Sequence, residues 1–299
     1  MLLASLVGMM RLGGKVLVLF GVSICLSNNF AVADDLFVAD SNSGHIYKIT
    51  PNGDQSTFAN IDAETTCLAF DSSSNLFVGE FYHSDIYKIT PNESQSYFAS
   101  APLKTSMVFD SNDNLFLASY VSDYDAITTF DSNGHQIGWI GSTYPSALAF
   151  DKSGNLYFAG YLSGKIYKRT PSGSSSIFAT GLTGPRAMVF DSNDNLFVTD
   201  YNSNSIYKFT PSGEQSVFAS GLDRPWGLAF DSSGNLFEAD FGSNSIYEFT
   251  SSGVQSVFAT GLNGPTGLAF APIPEPSTLV LFGIGAASMF AYWRRQRTA

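Results

Sequence analysis

From residue 34 to residue 271 the chain alternates apolar runs of four to six residues with clusters of Asp, Asn, Ser, Gly and Pro. In one representative stretch the runs are Gly227–Phe230, Asn235–Asp240, Ser245–Phe249 and Gln255–Ala259, separated by Asp-Ser-Ser-Gly, Gly-Ser-Asn and Thr-Ser-Ser-Gly. Runs this short between turn-forming residues predict β-strands and leave no room for helices. The pattern also repeats. Phe70, Phe109, Phe150, Phe190, Phe230 and Phe270 each end the first run of a unit, at spacings of 39, 41, 40, 40 and 40 residues. Four strands of about five residues per forty-residue unit is the arithmetic of a propeller blade.

The ends of the array give the blade count. It opens at Leu36–Asp40, which has the pattern of a second strand, and closes at Gly267–Phe270, which has the pattern of a first strand. Joined, the two fragments complete one blade, and a ring built this way has no open sheet edge at the join. The expected architecture is therefore all-β: a six-bladed propeller of four-stranded blades over 34–271, with 267–270 as the inner strand of blade one.

The two ends of the chain follow a different logic. Residues 1–33 contain no acid; Arg11 and Lys15 precede an apolar run from Val16 to Leu26, and Ala31-Val32-Ala33 supplies small residues. That order predicts a secretory signal peptide cleaved after Ala33. Ile24 stands where a lipoprotein signal needs a small residue before Cys25, so Cys25 is expected to be an ordinary signal-peptide residue. At the other end, prolines and Glu275 (Pro272-Ile273-Pro274-Glu275-Pro276) precede an uncharged, mostly apolar stretch at 279–293, and Arg294, Arg295 and Arg297 follow. Fifteen apolar residues make a short transmembrane segment, aided by snorkelling arginines that hold this end in the cytoplasm. This order over 272–299 resembles the PEP-CTERM sorting signal, with Pro274, Glu275 and Pro276 as its motif. The resemblance implies a Gram-negative source, an exosortase-type processing enzyme as partner, and an exported body held only transiently at the membrane. It also implies a setting of exopolysaccharide production. The alternative is an ordinary single-span anchor.

Composition narrows the partners. The chain carries 26 acidic and 15 basic residues, a net charge of −11. Between residues 34 and 271 the balance is 25 to 10, or −15, because five of the basic residues lie in the terminal segments. A body this acidic excludes a duplex-binding protein, which needs a basic face, and repels anionic membranes. Cysteine supplies no disulfide framework: of Cys25 and Cys67 only the second lies in the body.

The repeated pattern PxGLAFDSSGNLFxAD…NSIYxFT resembles NHL repeats and related six-bladed propellers, among them gluconolactonase-like hydrolases and streptogramin-lyase-like proteins. It implies the architecture over 34–271; activity has to be argued from the site, since this fold hosts enzymes, binders and scaffolds. A gluconolactonase-type hydrolase needs carboxylate and amide ligands converging on the channel, and a streptogramin-type lyase a His and a Glu with a metal. The second residue of each inner strand is Thr66, Thr105, Ser146, Arg186, Trp226 or Thr266, none of them such a ligand. His45, His83 and His135 fall in loops of blades one to three, leaving a metal or proton role for His45 with His83 as an alternative. The turns beginning at Asp110 and Asp191 have oxygen ligands at the first, third and fifth places of a calcium loop but lack its Gly and final Glu. Hairpin turns explain them better.

Two sets of residues stand out as binding candidates. Phe81, Tyr120, Tyr161, Tyr201 and Phe241 follow the second strand in five of the six blades, on the face called upper here. Such a ring can stack on sugars or simply roof the blade interfaces. Arg186, Arg224 and Trp226, with Lys104, place positive charge at the channel mouth of an acidic molecule and suit an anionic ligand. The sequence-based expectation is an exported, non-catalytic binding or scaffold protein of an exopolysaccharide matrix, with no cofactor, no nucleic acid, and exopolysaccharide or envelope proteins as partners. The alternative is a hydrolase or lyase acting at the upper mouth.

Overall fold

The computed structural model describes residues 34–61, 63–82, 84–102, 104–119, 126–142 and 144–272, with the backbone of 9–12 and 15–18. Ala33, His83, Tyr120, the Pro274-Glu275-Pro276 motif and the 279–293 segment lie outside the described residues. The chain divides into two compact units, Met1–Ala33 and Asp34–Ala299. In the first, Met9–Leu12 pairs antiparallel with Lys15–Val18.

The second unit is six antiparallel sheets of four strands each. Their inner strands are Pro265–Phe270, Thr65–Phe70, Lys104–Phe109, Pro145–Phe150, Pro185–Phe190 and Pro225–Phe230, for blades one to six in turn. Each inner strand packs against the next around a closed circle. The ring shuts as the repeat arithmetic predicts: Pro265–Phe270 pairs with Leu36–Asp40, placing Phe270 opposite Leu36 and Leu268 opposite Val38. Among the described residues no helix is long and apolar enough to cross a membrane.

Successive residues of each second strand face opposite neighbours, because side chains alternate along a strand. Leu36 and Val38 join the core shared with blade six, while Phe37 and Ala39 join that shared with blade two. Phe37 meets Phe58 of its own outer strand and Phe70 of the next inner strand edge-on, at centroid distances of 4.8 and 5.1 Å. The same triplet recurs at Phe77, Tyr157, Phe197 and Phe237. The repeated aromatics thus form the seams between blades, each pair worth about 0.5–1.5 kcal/mol beyond its area.

The lower turns are held by their own carboxylates. Asp110 Oδ1 accepts the backbone N–H groups of Asn112 and Asn114 at 2.9 Å, and its Oδ2 accepts the Asn114 amide at 2.9 Å. Asp191 does the same with Asn193 and Asn195 at 2.8 Å. With both oxygens engaged inside the turn, these are Asx-type hairpin turns and not calcium loops.

Candidate functional site

The pairing of inner and second strands slips at the start of every blade, between Thr65 and Cys67, Lys104 and Ser106, Pro145 and Ala147, Pro185 and Met188, Pro225 and Leu228, and Pro265 and Leu268. The second inner residue therefore sits in a bulge at the channel mouth, where a side chain is re-aimed out of the sheet's alternation. In three blades its hydroxyl clips the ring together. Thr266 donates to the Thr65 carbonyl at 2.9 Å, Thr66 to Lys104 at 2.7 Å and Thr105 to Pro145 at 2.9 Å, each reaching the next blade. Ser146 instead donates to Ala159 of its own blade at 3.3 Å.

Blades five and six break this sequence of hydroxyls with Arg186 and Trp226. The clip is taken over from the second strand: Thr199 Oγ1 donates to the Trp226 carbonyl at 2.7 Å and accepts the Ala187 N–H at 2.9 Å. At the seam of blades five and six the Arg186 side chain is thereby free for another purpose. The Arg186 guanidinium lies 4.4 Å from the ring centroid of Tyr161, 4.4 Å from that of Trp226 and 5.1 Å from that of Tyr201. Its Nε is buried without a hydrogen-bond partner, and among the described residues no carboxylate pairs with it. Burial lowers its pKa against the pull of the Tyr161 and Tyr201 hydroxyls.

The cluster continues into blade six. Tyr201 meets Trp226 edge-on at 5.8 Å, Trp226 lies 5.4 Å from Phe241, and Arg224 sits over Phe241 at 5.2 Å while its Nε donates to Asp223 at 3.2 Å. In the other direction a cleft of about 190 Å³ is lined by Phe81, Thr105, Tyr144, Pro145, Ser146, Tyr161, Leu162 and Arg186. Below it the central channel, about 450 Å³, is lined by inner strands, with Arg186 and Thr105 shared between the two cavities. Of the sequence candidates, Phe81, Tyr161, Arg186, Tyr201, Trp226, Phe241 and Arg224 thus form one connected surface.

Lys104 does not belong to it. As the first inner residue it occupies the position of Pro145, Pro185, Pro225 and Pro265, which is buried in every blade. It has no exposed surface, and its Nζ donates to the Glu80 carbonyl at 3.1 Å. Burial brings its pKa down to about 8. Its charge is spent on the junction of blades two and three rather than offered at the mouth.

Three features of the site escape a reading of the repeat alone. Tyr144 immediately precedes an inner-strand Pro, as Gly264 does, and both are left-handed, with φ of 50° and 76°. A tyrosine in that region is strained where glycine is at ease; the position is Gly184 and Gly264 in two sister blades but varies in the others, so the sequence signal is weak. Arg224 takes the same position with φ 59°. Next, the buried acids ending the second strands are structural. Asp200 accepts the Thr183 N–H and hydroxyl at 2.6 Å each, Asp240 the Asp223 N–H at 2.8 Å, and Asp40 the Asn263 N–H at 2.6 Å. They hold the loops that lead into the inner strands. Finally, Glu238 is fully buried in the second strand of blade six, with neither oxygen hydrogen-bonded.

These side chains do not suit a divalent metal, which takes several oxygen or nitrogen ligands from converging carboxylates, carbonyls or imidazoles. The bulge hydroxyls are committed to carbonyls, and Asp40, Asp200 and Asp240 to loop N–H groups. His45 opens the strand His45–Ile49 instead of lying in a loop and packs on Tyr47 with its Nδ1 buried, and His135 bonds Asp131 in a lower turn at 3.3 Å. Among the described residues no three His, Cys, Asp or Glu side chains gather closely enough to hold an ion.

Comparison with known proteins agrees with this architecture. The family model for the SMP-30/Gluconolactonase/LRE-like region matches residues 30–281, and that for the PEP-CTERM protein-sorting motif matches residues 272–296. No curated protein matches the chain. Among solved structures, virginiamycin B lyase from Staphylococcus aureus superposes with a TM-score of 0.60 at 19% identity, over 79% of this chain and 87% of the lyase. A chain of a nidogen/laminin complex gives 0.72 at 18%, over 81% and 99%, and a protein of unknown function from Bacteroides caccae gives 0.63 at 12%, over 81% and 100%. At these identities the likeness is one of fold, shared by proteins of unlike activity.

Proposed function

The chain belongs to the SMP-30/Gluconolactonase/LRE-like family and ends in a PEP-CTERM motif, and from that premise we propose that it is an exported propeller that binds, without turning over, a polysaccharide of the exopolysaccharide matrix. The motif implies an exosortase-type processing partner and transient anchoring of the C-terminus. The observation that carries the binding reading is Arg186 packed against both Tyr161 and Trp226, 4.4 Å from each ring centroid. It stands in the bulge where a metal-dependent hydrolase of this architecture would need a ligand.

The chemistry of the surface is that of a platform. Aromatic rings offer flat apolar area for the C–H faces of sugar rings, and the arginines set orientation through directed N–H donors. Nothing in the cluster has the base–nucleophile pairing that hydrolysis asks for. The test is a pull-down of matrix polymers with residues 34–271, which contain every strand of the ring and all six cores. Retention of a matrix polysaccharide, lost on Trp226→Ala, is expected. Failure to retain any such polymer would remove the binding reading; lactone or ester turnover abolished by chelation would replace it with the hydrolase or lyase.

A further inference from the structure

We propose that the cleft between Phe81, Tyr144, Tyr161 and Arg186 is a subsite for one carboxylate-bearing sugar of a polymer, a uronate-type residue whose carboxylate docks on Arg186 and whose ring lies against the aromatic wall. This rests on the binding function proposed above and names the ligand class it selects.

Four independent observations converge on that chemistry. Arg186 is a half-buried cation without a carboxylate, in a body whose net charge is −15. Taking a cation out of water is costly unless a counter-charge or ring quadrupole replaces the solvent. Here the rings of Tyr161 and Trp226, each 4.4 Å from the guanidinium, replace part of the solvent, the Tyr161 hydroxyl engages one part of its edge, and the Nε–H remains without a partner. That edge matches a planar carboxylate, which accepts two parallel N–H bonds. A net charge so negative repels anions at long range. An anion held here is therefore selected by short-range contacts, and a polymer chain that brings its own apolar ring faces gains most.

The second observation is size. A cleft of about 190 Å³ is smaller than the roughly 300–1,000 Å³ of pockets that engulf a whole small molecule, so it takes one unit of a longer ligand. Exposure gives the third. Tyr82 and Leu162 are 68% and 65% exposed; Leu162 lines the cleft and Tyr82 stacks edge-on against Phe81 at 4.9 Å. Among the described residues, these two give neighbouring sugar units exposed apolar area beside the cleft. The fourth is strain. Tyr144 keeps a left-handed backbone, φ 50°, at the position where sister loops have Arg224 at 59° and Gly264 at 76°. Holding a large side chain in that region costs on the order of 1–3 kcal/mol, and such outliers cluster at binding sites. The strain puts an aromatic ring in the cleft wall.

The test is calorimetric titration of the full chain in detergent with trigalacturonate, its neutral methyl ester and an acidic triglutamate peptide. Trigalacturonate should bind, and the ester and the peptide each at least tenfold more weakly. Arg186→Gln and Arg186→Lys should each lose tenfold or more for the acid, since lysine keeps the charge but not the planar fork. Tyr144→Gly should lose several-fold while its melting temperature holds or rises, which separates recognition from folding. Equal binding of acid and ester, binding of triglutamate as tight as of the sugar, an unchanged Arg186→Gln, or no binding of trigalacturonate would each overturn the proposal. Retention of a matrix polysaccharide by a chain that ignores trigalacturonate would leave the broader function standing and remove this one.

Discussion

Arg186 and Trp226 occupy the same bulge position in neighbouring blades, and the guanidinium of the first lies 4.4 Å from the ring centroid of the second. Elsewhere in the ring this position carries a hydroxyl, in three blades one that ties its blade to the next. Here Thr199 supplies the tie between blades five and six, and Trp226 carries no hydroxyl to tie blade six to blade one, so neither side chain of the pair makes the closing hydrogen bond. Replacing Trp226 by Thr should therefore cost only the cation–π contact and some packing, about 1–2 kcal/mol, a fall of about 2–8 °C in melting temperature for a body of this size. Retention of matrix glycan should fall about tenfold in the same variant. A collapse of the fold would show instead that the pair holds the ring.

Glu238 stands where the second strands of other blades carry Val38, Val78 and Val198. Only the Trp226 backbone offers its carboxylate anything, and not in hydrogen-bonding geometry. Burial first, then the charge of Asp240, pushes its pKa well above the ordinary 4.5. The folded state thus holds this proton to a higher pH than the unfolded chain does. Stability from this group is greatest below pH 4.5 and declines as pH rises towards the folded pKa. Glu238→Val should raise stability at pH 7 by about 1–3 kcal/mol, the cost of an unsatisfied buried polar group, and the gain should shrink at pH 4. Chemical denaturation of both proteins at the two pH values measures it.

The ring was legible because its rules are local. Period-two strands, Asp-Asn turns and a forty-residue spacing dictate blades, and the orphan strands at the two ends of the array dictate that Pro265–Phe270 meets Leu36–Asp40. The site was legible only in part. Arg186 and Trp226 stand out by departing from the repeat and Phe241 by sharing its aromatic position with four sister blades, but that Arg186 is shared between two cavities depends on loop geometry. Lys104 looked like a mouth residue because nothing in one blade says that the first inner position is buried; the prolines of four sister blades do say it. Tyr144 and Glu238 are visible only when repeats are aligned residue by residue, and Tyr144 only weakly, at a position that varies.

The lower turns offer a comparison of two aspartates with the same backbone. Asp113 and Asp194 both have φ of 58°, where sister turns place Gly154 and Gly234 at 75° and 83°. Asp113 repays the strain by accepting the Ser72 N–H and hydroxyl from the neighbouring blade, at 3.0 and 2.5 Å. Asp194 leaves its Oδ1 buried without a partner. Asp194→Gly should therefore stabilise the protein by about 1 kcal/mol, the usual cost of a left-handed residue with a side chain. Asp113→Gly should be neutral or destabilising, because it also loses the tie to Ser72. Paired denaturation curves decide this, and equal effects would show that turn strain alone is at work.

Cys67 is buried at the junction of blades two and three, and burial pushes its thiol pKa up to about 12 despite the nearby Lys104. A thiol kept protonated and enclosed is inert, since the thiolate is the nucleophile. As the one cysteine of residues 34–271, it should resist iodoacetamide at pH 8 in the native protein and react once the ring opens, so that labelling against denaturant follows unfolding of that seam. Gly79 makes the arrangement possible: a Cβ there would lie 2.6 Å from Cys67 Sγ and 2.8 Å from Met107 Cε. Gly79→Ala overpacks this seam, at a cost of about 1–3 kcal/mol, and should move the onset of labelling to lower denaturant. Rapid labelling of the wild-type protein without denaturant would mean that blades two and three separate in the native ring.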